Sequence, residues 1–219
     1  MGKARRLNLN AIEASLRAVQ ADFDAINRTL SVRREPLSDE VVGFLMDGYR
    51  GVDKLLATGL DLFSLGNSRE VLELNFLVLC GTDDRTRDEC RQHIQATEEH
   101  FYANGDGGIG SLITWVQGMN GESVWRRAAS AYIHILSQPQ LFIEGNHRTG
   151  SLIMSWMLAR AGKPPFVLTV ENAKAYFDPS TLAKNARKHT VKMLLERPKL
   201  VSRLAHLLKS EAEKEHVLR

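Results

Sequence analysis

The residues best suited to chemistry lie at positions 140–151, which read QLFIEGNHRTGS. Gly145, Asn146 and Gly150 predict a turn that opens a helix, because glycine and asparagine favour turns and the residues that follow are strongly helical. The first amides of a helix have no internal partner, and the helix dipole favours negative charge there. Arg148 adds a guanidinium fork that suits phosphate. The stretch therefore predicts an anion site.

Two further side chains of this stretch could take part in chemistry. Glu144, just before the turn, is a hard oxygen ligand that could hold Mg²⁺ against a bound phosphate. His147 lies at the start of the predicted helix, where the dipole disfavours the imidazolium and lowers its pKa. A neutral imidazole there could act as a base or donate a hydrogen bond to phosphate. The simpler alternative is a turn with a helix cap and a solvated arginine.

The stretch resembles the signature of the Fic (filamentation induced by cAMP) family, which runs His-Pro-Phe-x-Asp/Glu-Gly-Asn-Gly-Arg-x-x-Arg. The matching positions are Phe142, Glu144, Gly145, Asn146 and Arg148. The departures are Gln140 for the histidine, Leu141 for the proline, His147 for the second glycine and Ser151 for the last arginine. The resemblance is thus specific in the anion-binding half of the motif and broken in its catalytic half.

Members of this family typically transfer a nucleotide or another phosphate-containing group from a bound nucleotide to a protein hydroxyl, with the histidine as general base. The resemblance implies ATP or another nucleotide with Mg²⁺, and Glu144 as the metal ligand. The residues that it implies for phosphate are Gly145, Asn146, Arg148, Thr149 and Gly150. Gln140 cannot be the base, because an amide accepts no proton near pH 7, whereas a positioned base contributes ~10²–10⁴-fold. His147 could substitute for it, or could close the site by filling the space of the family's glycine.

The composition is that of an ordinary globular domain. The chain has 219 residues, 43% hydrophobic and 25% charged, enough for one domain or one domain with a helical extension. Its net charge of +3 is too small to indicate nucleic-acid binding by itself. The longest apolar run, residues 152–159, is far too short to span a membrane. We interpret Cys80 and Cys90 as reduced thiols, which fits a cytoplasmic location.

Apolar residues recur at three- and four-residue spacing along most of the chain, which predicts an all-α bundle of eight or more helices. The helices expected before the motif cover residues 12–30, 39–58, 68–79, 84–102, 111–119 and 123–137. After the motif, a helix over 171–177 is expected to end at Asp178 and Pro179, and a last helix to be interrupted at Pro198. Residues 166–170 are compatible with a short strand or an extended connector.

Residues 103–110 contain four glycines and cannot form a stable helix. In the Fic family a β-hairpin flap upstream of the motif helices docks the target by adding a strand, and Phe101 to Gly110 hold the corresponding place. A mobile surface loop is the equal alternative. The predicted organisation is an N-terminal helical extension (1–58), a Fic-like helical core (59–190) and a C-terminal helical segment (191–219).

Three other patterns have weaker functional interpretations. His93 and His100 lie on one expected helix and could share a metal, although a solvated helix face explains them better. Ser31 and Glu35 have the spacing of a self-inhibitory helix found in many Fic proteins, but Pro36 replaces its last position. A basic cluster could meet nucleic acid but lacks aromatic residues for base stacking, so a solvated face is preferred. The cluster comprises Lys184, Arg187, Lys188, His189, Lys192 and Arg197.

These observations favour a Fic-fold protein that keeps a nucleotide- or phosphate-binding loop and has lost ordinary AMP transfer. Its role would be binding or regulation, with a protein target or a regulatory partner. One alternative is a divergent Fic transferase that moves an AMP, sugar or other phosphate-containing group to a protein hydroxyl. Another is a structural helical module with a vestigial anion site. Neither nucleic acid nor a membrane is expected as a partner.

Overall fold

The computed structural model describes residues 6–210 and 214–218. Within them the protein is all-α, which confirms the predicted class. The α-helices are α1 (Leu9–Ala21), α2 (Phe23–Thr29), α3 (Asp39–Thr58), α4 (Ser68–Cys80), α5 (Asp84–Glu89), α6 (Arg91–Phe101), α7 (Ile109–Gly118), α8 (Val124–Leu136), α9 (Asn146–Arg160), α10 (Ala173–Lys184) and α11 (Val191–Ser210). A 3-10 turn follows at Lys214–His216. None of the described helices has the length and apolar character needed to cross a lipid bilayer.

Helix α3 forms over the predicted residues, and local chemistry explains both of its ends. Ser38 Oγ accepts a hydrogen bond from the Val41 amide at 3.2 Å, which satisfies one of the unpaired donors of the first turn. Gly59 ends the helix with a φ of 70°, a left-handed conformation that glycine adopts without strain. Helix α8 begins in the same way after Ser123, whose hydroxyl accepts from the Arg126 amide.

Two predicted interruptions are wrong, because α10 continues through Pro179 and α11 through Pro198. A proline removes one helical hydrogen bond and crowds the preceding turn, so it often ends a helix. Here buried residues on each side of the proline hold both halves of the helix against the core. They include Tyr176 and Ala183 in α10 and Met193 and Leu200 in α11. Packing therefore outweighs the local cost.

Two helices that were expected to be continuous are divided. Asp22 separates α1 from α2, and Cys90 separates α5 from α6. Residues 166–170 form an extended connector without strand pairing. Residues 103–108 form turns, also without strand pairing, so this segment is a loop rather than a hairpin. Lys188 holds that loop, because its Nζ donates to the Asp106 carbonyl at 2.6 Å.

Helix α9, which follows the motif, lies at the centre of the molecule. All residues from 149 to 159 are buried, and α3, α4 and α8 pack against them. Helix α11 packs on the other side of α8. The N-terminal, central and C-terminal parts predicted from the sequence share one hydrophobic core, which includes Ile12, Leu152 and Leu204. The motif loop thus leads directly into a helix that is buried in the core.

Candidate functional site

The motif loop joins α8 to α9 and is fixed from one side by α4. Gly145 is the N-cap of α9 with a φ of 75°, and a Cβ added to it would lie 2.8 Å from Nδ2 of Asn75. The position therefore requires glycine both for its conformation and for space. Asn75 Nδ2 donates to the Glu144 carbonyl and to Thr149 Oγ1, each at 2.9 Å. These bonds fix the turn relative to α4.

Asn146 closes the loop on itself. Its Oδ1 accepts from the Phe142 amide at 3.0 Å, and its Nδ2 donates to the Phe142 carbonyl at 2.7 Å. The side-chain amide is therefore committed to the backbone of the loop. The first hydrogen bond of α9 joins the Thr149 amide to the Gly145 carbonyl at 2.9 Å. The amides of residues 146–148 have no partner in the described part of the chain, as is usual at the start of a helix.

Arg148 is directed towards α4. Its Nη1 donates to the Val78 carbonyl at 2.5 Å, in the last turn of α4, where the helix dipole favours a cation. Burial lowers the pKa of Arg148, and the charge of Glu144 raises it. The Glu144 side chain is exposed. Among the described residues, no three histidine, cysteine, aspartate or glutamate side chains are grouped to hold a metal ion.

Gln140, at the position of the family's base, is bonded to the end of α8. Its Nε2 donates to the Leu136 carbonyl at 3.0 Å. The sequence did not indicate that an imidazole from α6 lies next to it. His100 Nε2 is 2.9 Å from the Gln140 carbonyl. A carbonyl only accepts, so this nitrogen carries its proton and cannot take one from a substrate.

His147 is held at both ring nitrogens. Its Nδ1 lies 3.0 Å from the Tyr132 hydroxyl, and its Nε2 lies 3.4 Å from Nη1 of Arg34. A guanidinium only donates, so Nε2 is the acceptor and Nδ1 carries the proton. Burial, followed by the charges of Arg34 and Lys184, lowers the pKa of His147 to about 3. The imidazole is therefore neutral near pH 7.

Tyr132 links His147 to α10 inside the core. Its hydroxyl lies 2.9 Å from Ser180 Oγ, which donates to the Tyr176 carbonyl at 2.5 Å. Since Ser180 has one proton, Tyr132 must donate to Ser180 and accept from His147. Burial raises the pKa of Tyr132 well above its ordinary value, so the phenol keeps the proton that it donates. The orientation of the imidazole is thus fixed by a continuous hydrogen-bonded chain.

Arg34 is the residue of this site that sequence reasoning missed. It lies in the irregular segment between α2 and α3, where Asn27 bonds both its amide and its carbonyl at 2.8 Å. Its Nη2 donates to Thr181 Oγ1 at 2.7 Å, and the guanidinium lies 5.2 Å from the centre of the Phe177 ring. Its Nε is buried without a partner. In the described residues no carboxylate pairs with Arg34, and no local pattern in the sequence signals its contact with His147.

The last three residues of the motif, Thr149, Gly150 and Ser151, are buried beneath the loop. A Cβ added to Gly150 would meet Cδ2 of Tyr132 at 2.7 Å, so this glycine permits close packing of α9 on α8. Thr149 is completely buried. Ser151 Oγ donates to the Arg148 carbonyl at 2.7 Å. The structure therefore places Glu144, Gly145 and the amides of residues 146–148 around the turn, and places Thr149, Gly150 and Ser151 in the helix packing.

The weaker sequence patterns do not form sites in the described residues. Residues 30–38, which include Ser31 and Glu35, form no helix. His93 contacts Thr97, and His100 contacts Gln140, so the two imidazoles do not share a partner. Within the basic cluster, Lys188 and Arg197 are only 2% and 9% exposed. The cluster is therefore not one solvated face.

Comparison with solved structures gives matches of similar shape. One of them is a Fic domain-containing signalling protein from Bacteroides thetaiotaomicron, matched over 92% of this chain and 94% of that one. The sequence identity is 15% and the TM-score is 0.44, and a similarity at this level carries no argument about function. No protein-family model matches the chain, and no curated protein matches it.

Proposed function

We propose that this chain is a Fic-fold protein that binds the phosphate groups of a nucleotide at the start of α9 and does not carry out the AMP transfer typical of that family. Its role would be to bind or regulate another protein. The proposed assignment to the Fic fold rests on the residues around Gly145 that match the family's signature in register. Phosphate binding rests on Arg34, whose charge has no carboxylate partner in the described residues and lies beside the first turn of α9.

Arg34 and the start of α9 favour the same kind of ligand. A partly buried cation without a counter-ion is unfavourable, and so are unpaired amides at the positive end of a helix dipole. One phosphate group would accept hydrogen bonds from the three amides and from the guanidinium at the same time. Arg148 supports the loop from the other side through its bond to the Val78 carbonyl.

The loop also fits a magnesium ion that accompanies the phosphates. Mg²⁺ usually takes one or two carboxylates together with phosphate oxygens and water. Glu144 is one exposed carboxylate beside the loop, so it would hold the ion. When bound, the ion would neutralise part of the phosphate charge. The rest of the binding would come from the amides of residues 146–148 and from Arg34.

The absence of transfer rests on the chemistry of two side chains. Gln140 is an amide and takes no proton near pH 7. His147 has a pKa lowered to about 3, whereas an effective base has a pKa near the operating pH. Its unprotonated nitrogen, Nε2, also faces the Arg34 guanidinium. These features disfavour the divergent transferase as a reading of the site.

The rival reading is a structural helical module with a vestigial anion site. It is favoured by the internal bonds of Asn146 and Arg148, because Asn146 is committed to the backbone of the loop and Arg148 is directed to the Val78 carbonyl. The amides of residues 146–148 and the Nε of Arg34 still lack a partner in the described residues. The two readings differ in one measurable property, which is whether nucleotide binding depends on Arg34.

Calorimetric titration with ATP and Mg²⁺ tests the proposal. Arg34→Met should weaken binding by about tenfold or more, the scale of one charge-assisted hydrogen bond. The matched control is Arg33→Met, at the exposed neighbouring residue, which should leave the affinity unchanged. Arg148→Ala is less informative, because it also removes the bond to the Val78 carbonyl. Absence of binding to the wild type, or equal affinity in Arg34→Met, would support the structural module.

The second half of the proposal, the absence of transfer, has its own assay. Incubation with Mg²⁺ and ATP labelled at the α-phosphate, in the presence of a cell lysate, should label neither the protein nor any other protein above background. Strong labelling that disappears in Glu144→Ala would show that a transferase is present. Binding without labelling is the combined result that the proposal expects.

A further inference from the structure

A separate cavity of about 410 Å³ lies at the opposite end of α9 from the motif loop. Its size is within the range of small-molecule sites. It forms where the start of α8 and the end of α9 meet the connection between α3 and α4. The side chains that matter here are Asp61, Phe63, Arg127, Trp156, Met157 and Arg160.

Arg127 is a cation without a counter-ion in the described part of the chain. It lies at the start of α8, where the helix dipole disfavours positive charge. Its Nε is buried and has no hydrogen-bond partner. The neighbouring Arg126 shows the usual arrangement, because its Nε lies 2.9 Å from a carboxylate oxygen of Glu122. An anion in the cavity would give Arg127 the partner that Arg126 already has.

Trp156, which also lines the cavity, carries a second donor without a partner. Its side chain is almost fully buried, at 3% exposure, and its Nε1 has no partner. A buried indole N–H normally finds an acceptor. The ring packs edge-on to Phe63 with centroids 5.8 Å apart, and the Arg160 guanidinium lies 5.0 Å from its centre. The cavity thus combines aromatic walls with two donors that lack acceptors.

The net charge of the lining side chains determines which kind of anion the cavity would favour. Arg160 forms an ion pair with Asp61 at 2.8 Å, so among the described lining residues Arg127 is the cation without a carboxylate partner. A single excess positive charge suits a ligand with one negative charge. A phosphate group carries about 1.5 to 2 negative charges near pH 7, whereas a carboxylate carries one.

We propose that this cavity binds a small organic monocarboxylate with an apolar body. The carboxylate pairs with Arg127 and accepts from Trp156 Nε1, and the apolar part lies against Phe63 and Met157. Both donor atoms are closed to water, so the ligand reaches them only when side chains of the lining move. The site is independent of the motif loop, and its existence does not depend on nucleotide binding.

Nuclear magnetic resonance of the full ¹⁵N-labelled chain tests this proposal with phenylacetate as the probe. The indole N–H signal of Trp156, assigned with Trp156→Phe, should move and saturate as phenylacetate is added. The signal of Trp115 should stay in place, because its Nε1 already donates to Ser130 Oγ at 2.8 Å. Arg127→Met should weaken binding about tenfold or more. Arg126→Met, the matched control, should bind as the wild type does.

Two further ligands make the test independent of any variant. Phenylacetamide has nearly the same shape without the charge and should bind about tenfold more weakly or not at all. Inorganic phosphate should not compete with phenylacetate. The proposal is overturned if no saturable shift occurs, if the amide binds as well as the acid, if phosphate displaces the acid, or if a folded Arg127→Met keeps wild-type affinity.

Discussion

Nη1 of Arg34 lies 3.4 Å from Nε2 of His147, although 113 residues separate them along the chain. The contact joins the segment between α2 and α3 to the first turn of α9. A proton on Nε2 would face the guanidinium directly, so Arg34 helps to keep the imidazole neutral. The cation in turn lies beside the first turn of α9, which makes the pair part of the proposed anion site.

Removing the cation should therefore change the titration of His147. We expect Arg34→Met to raise the pKa of His147 above its present value of about 3. The pKa should stay below the ordinary histidine value, because burial is the largest cause of the lowering. The measurement is an NMR titration of the imidazole signals. Arg33→Met is the control, and an unchanged pKa in Arg34→Met would contradict the assignment of Nε2 as acceptor.

Stability should depend on pH through His134 and His147, which are neutral near pH 7 in the folded protein. The pKa of each is lowered from 6.5 to about 3, mainly by burial. Between these values the unfolded chain binds protons that the folded protein excludes. The stabilisation is therefore complete above about pH 6.5 and is lost as the pH falls. Each imidazole contributes a slope of up to about 1.4 kcal/mol per pH unit.

Urea unfolding between pH 7 and pH 5 measures that slope. His147→Gln removes one of these sites, so the free energy of unfolding should fall less steeply with decreasing pH, by up to about 1.4 kcal/mol per unit. His206→Gln, at an exposed histidine of α11, should keep the wild-type slope. Identical slopes in all three proteins would mean that His147 is accessible to protons in the folded state.

Two glycines in helices should respond in opposite ways to alanine. A Cβ at Gly150 would lie 2.7 Å from Cδ2 of Tyr132, whereas a Cβ at Gly43 in α3 meets nothing within 4 Å. Gly150→Ala should destabilise by ~1–3 kcal/mol through overpacking. Gly43→Ala should stabilise by ~0.5–1 kcal/mol, because alanine favours the helix. Unfolding midpoints in urea give both values, and a neutral Gly150→Ala would argue against the close packing of α9 on Tyr132.

Local signals were sufficient for much of the fold. The limits of α3 follow from Ser38 as cap and Gly59 as stop, both readable in the sequence. The start of α9 follows in the same way from Gly145. The predictions at Pro179 and Pro198 were wrong because a proline penalty is local, whereas the packing that overrides it involves residues distant in sequence.

The candidate site, like the fold, could be predicted only where it depends on residues that are close in sequence. The turn around Gly145 and the amides that follow it could be predicted, because they depend on neighbouring residues only. The direction of the Arg148 side chain towards the Val78 carbonyl could not be predicted, because it depends on how α4 packs against α9. The contact of Arg34 with His147 could not be predicted from the sequence for the same reason. Phosphate roles for the motif residues remain predictions.

Restoring the family's base should not by itself restore AMP transfer, because His147 occupies the place of the glycine that lets phosphate approach the backbone. Ser151, where the family has its second arginine, is only 7% exposed, so an added arginine there would disturb the core. Arg34 can supply that charge instead once His147 is removed. The informative comparison is therefore Gln140→His against the double change Gln140→His with His147→Gly.

With ATP labelled at the α-phosphate and Mg²⁺, we expect Gln140→His to label no protein above the wild-type background. The double change should label the protein itself or a lysate protein at least roughly 100-fold above that background, the scale of a positioned base. Adding Glu144→Ala to the double change should abolish the signal, because it removes the metal ligand. Adding Arg34→Met should reduce it about tenfold or more, because it removes a charge-assisted phosphate contact. Strong labelling by Gln140→His alone would mean that His147 leaves the site open and that Gln140 is its single defect.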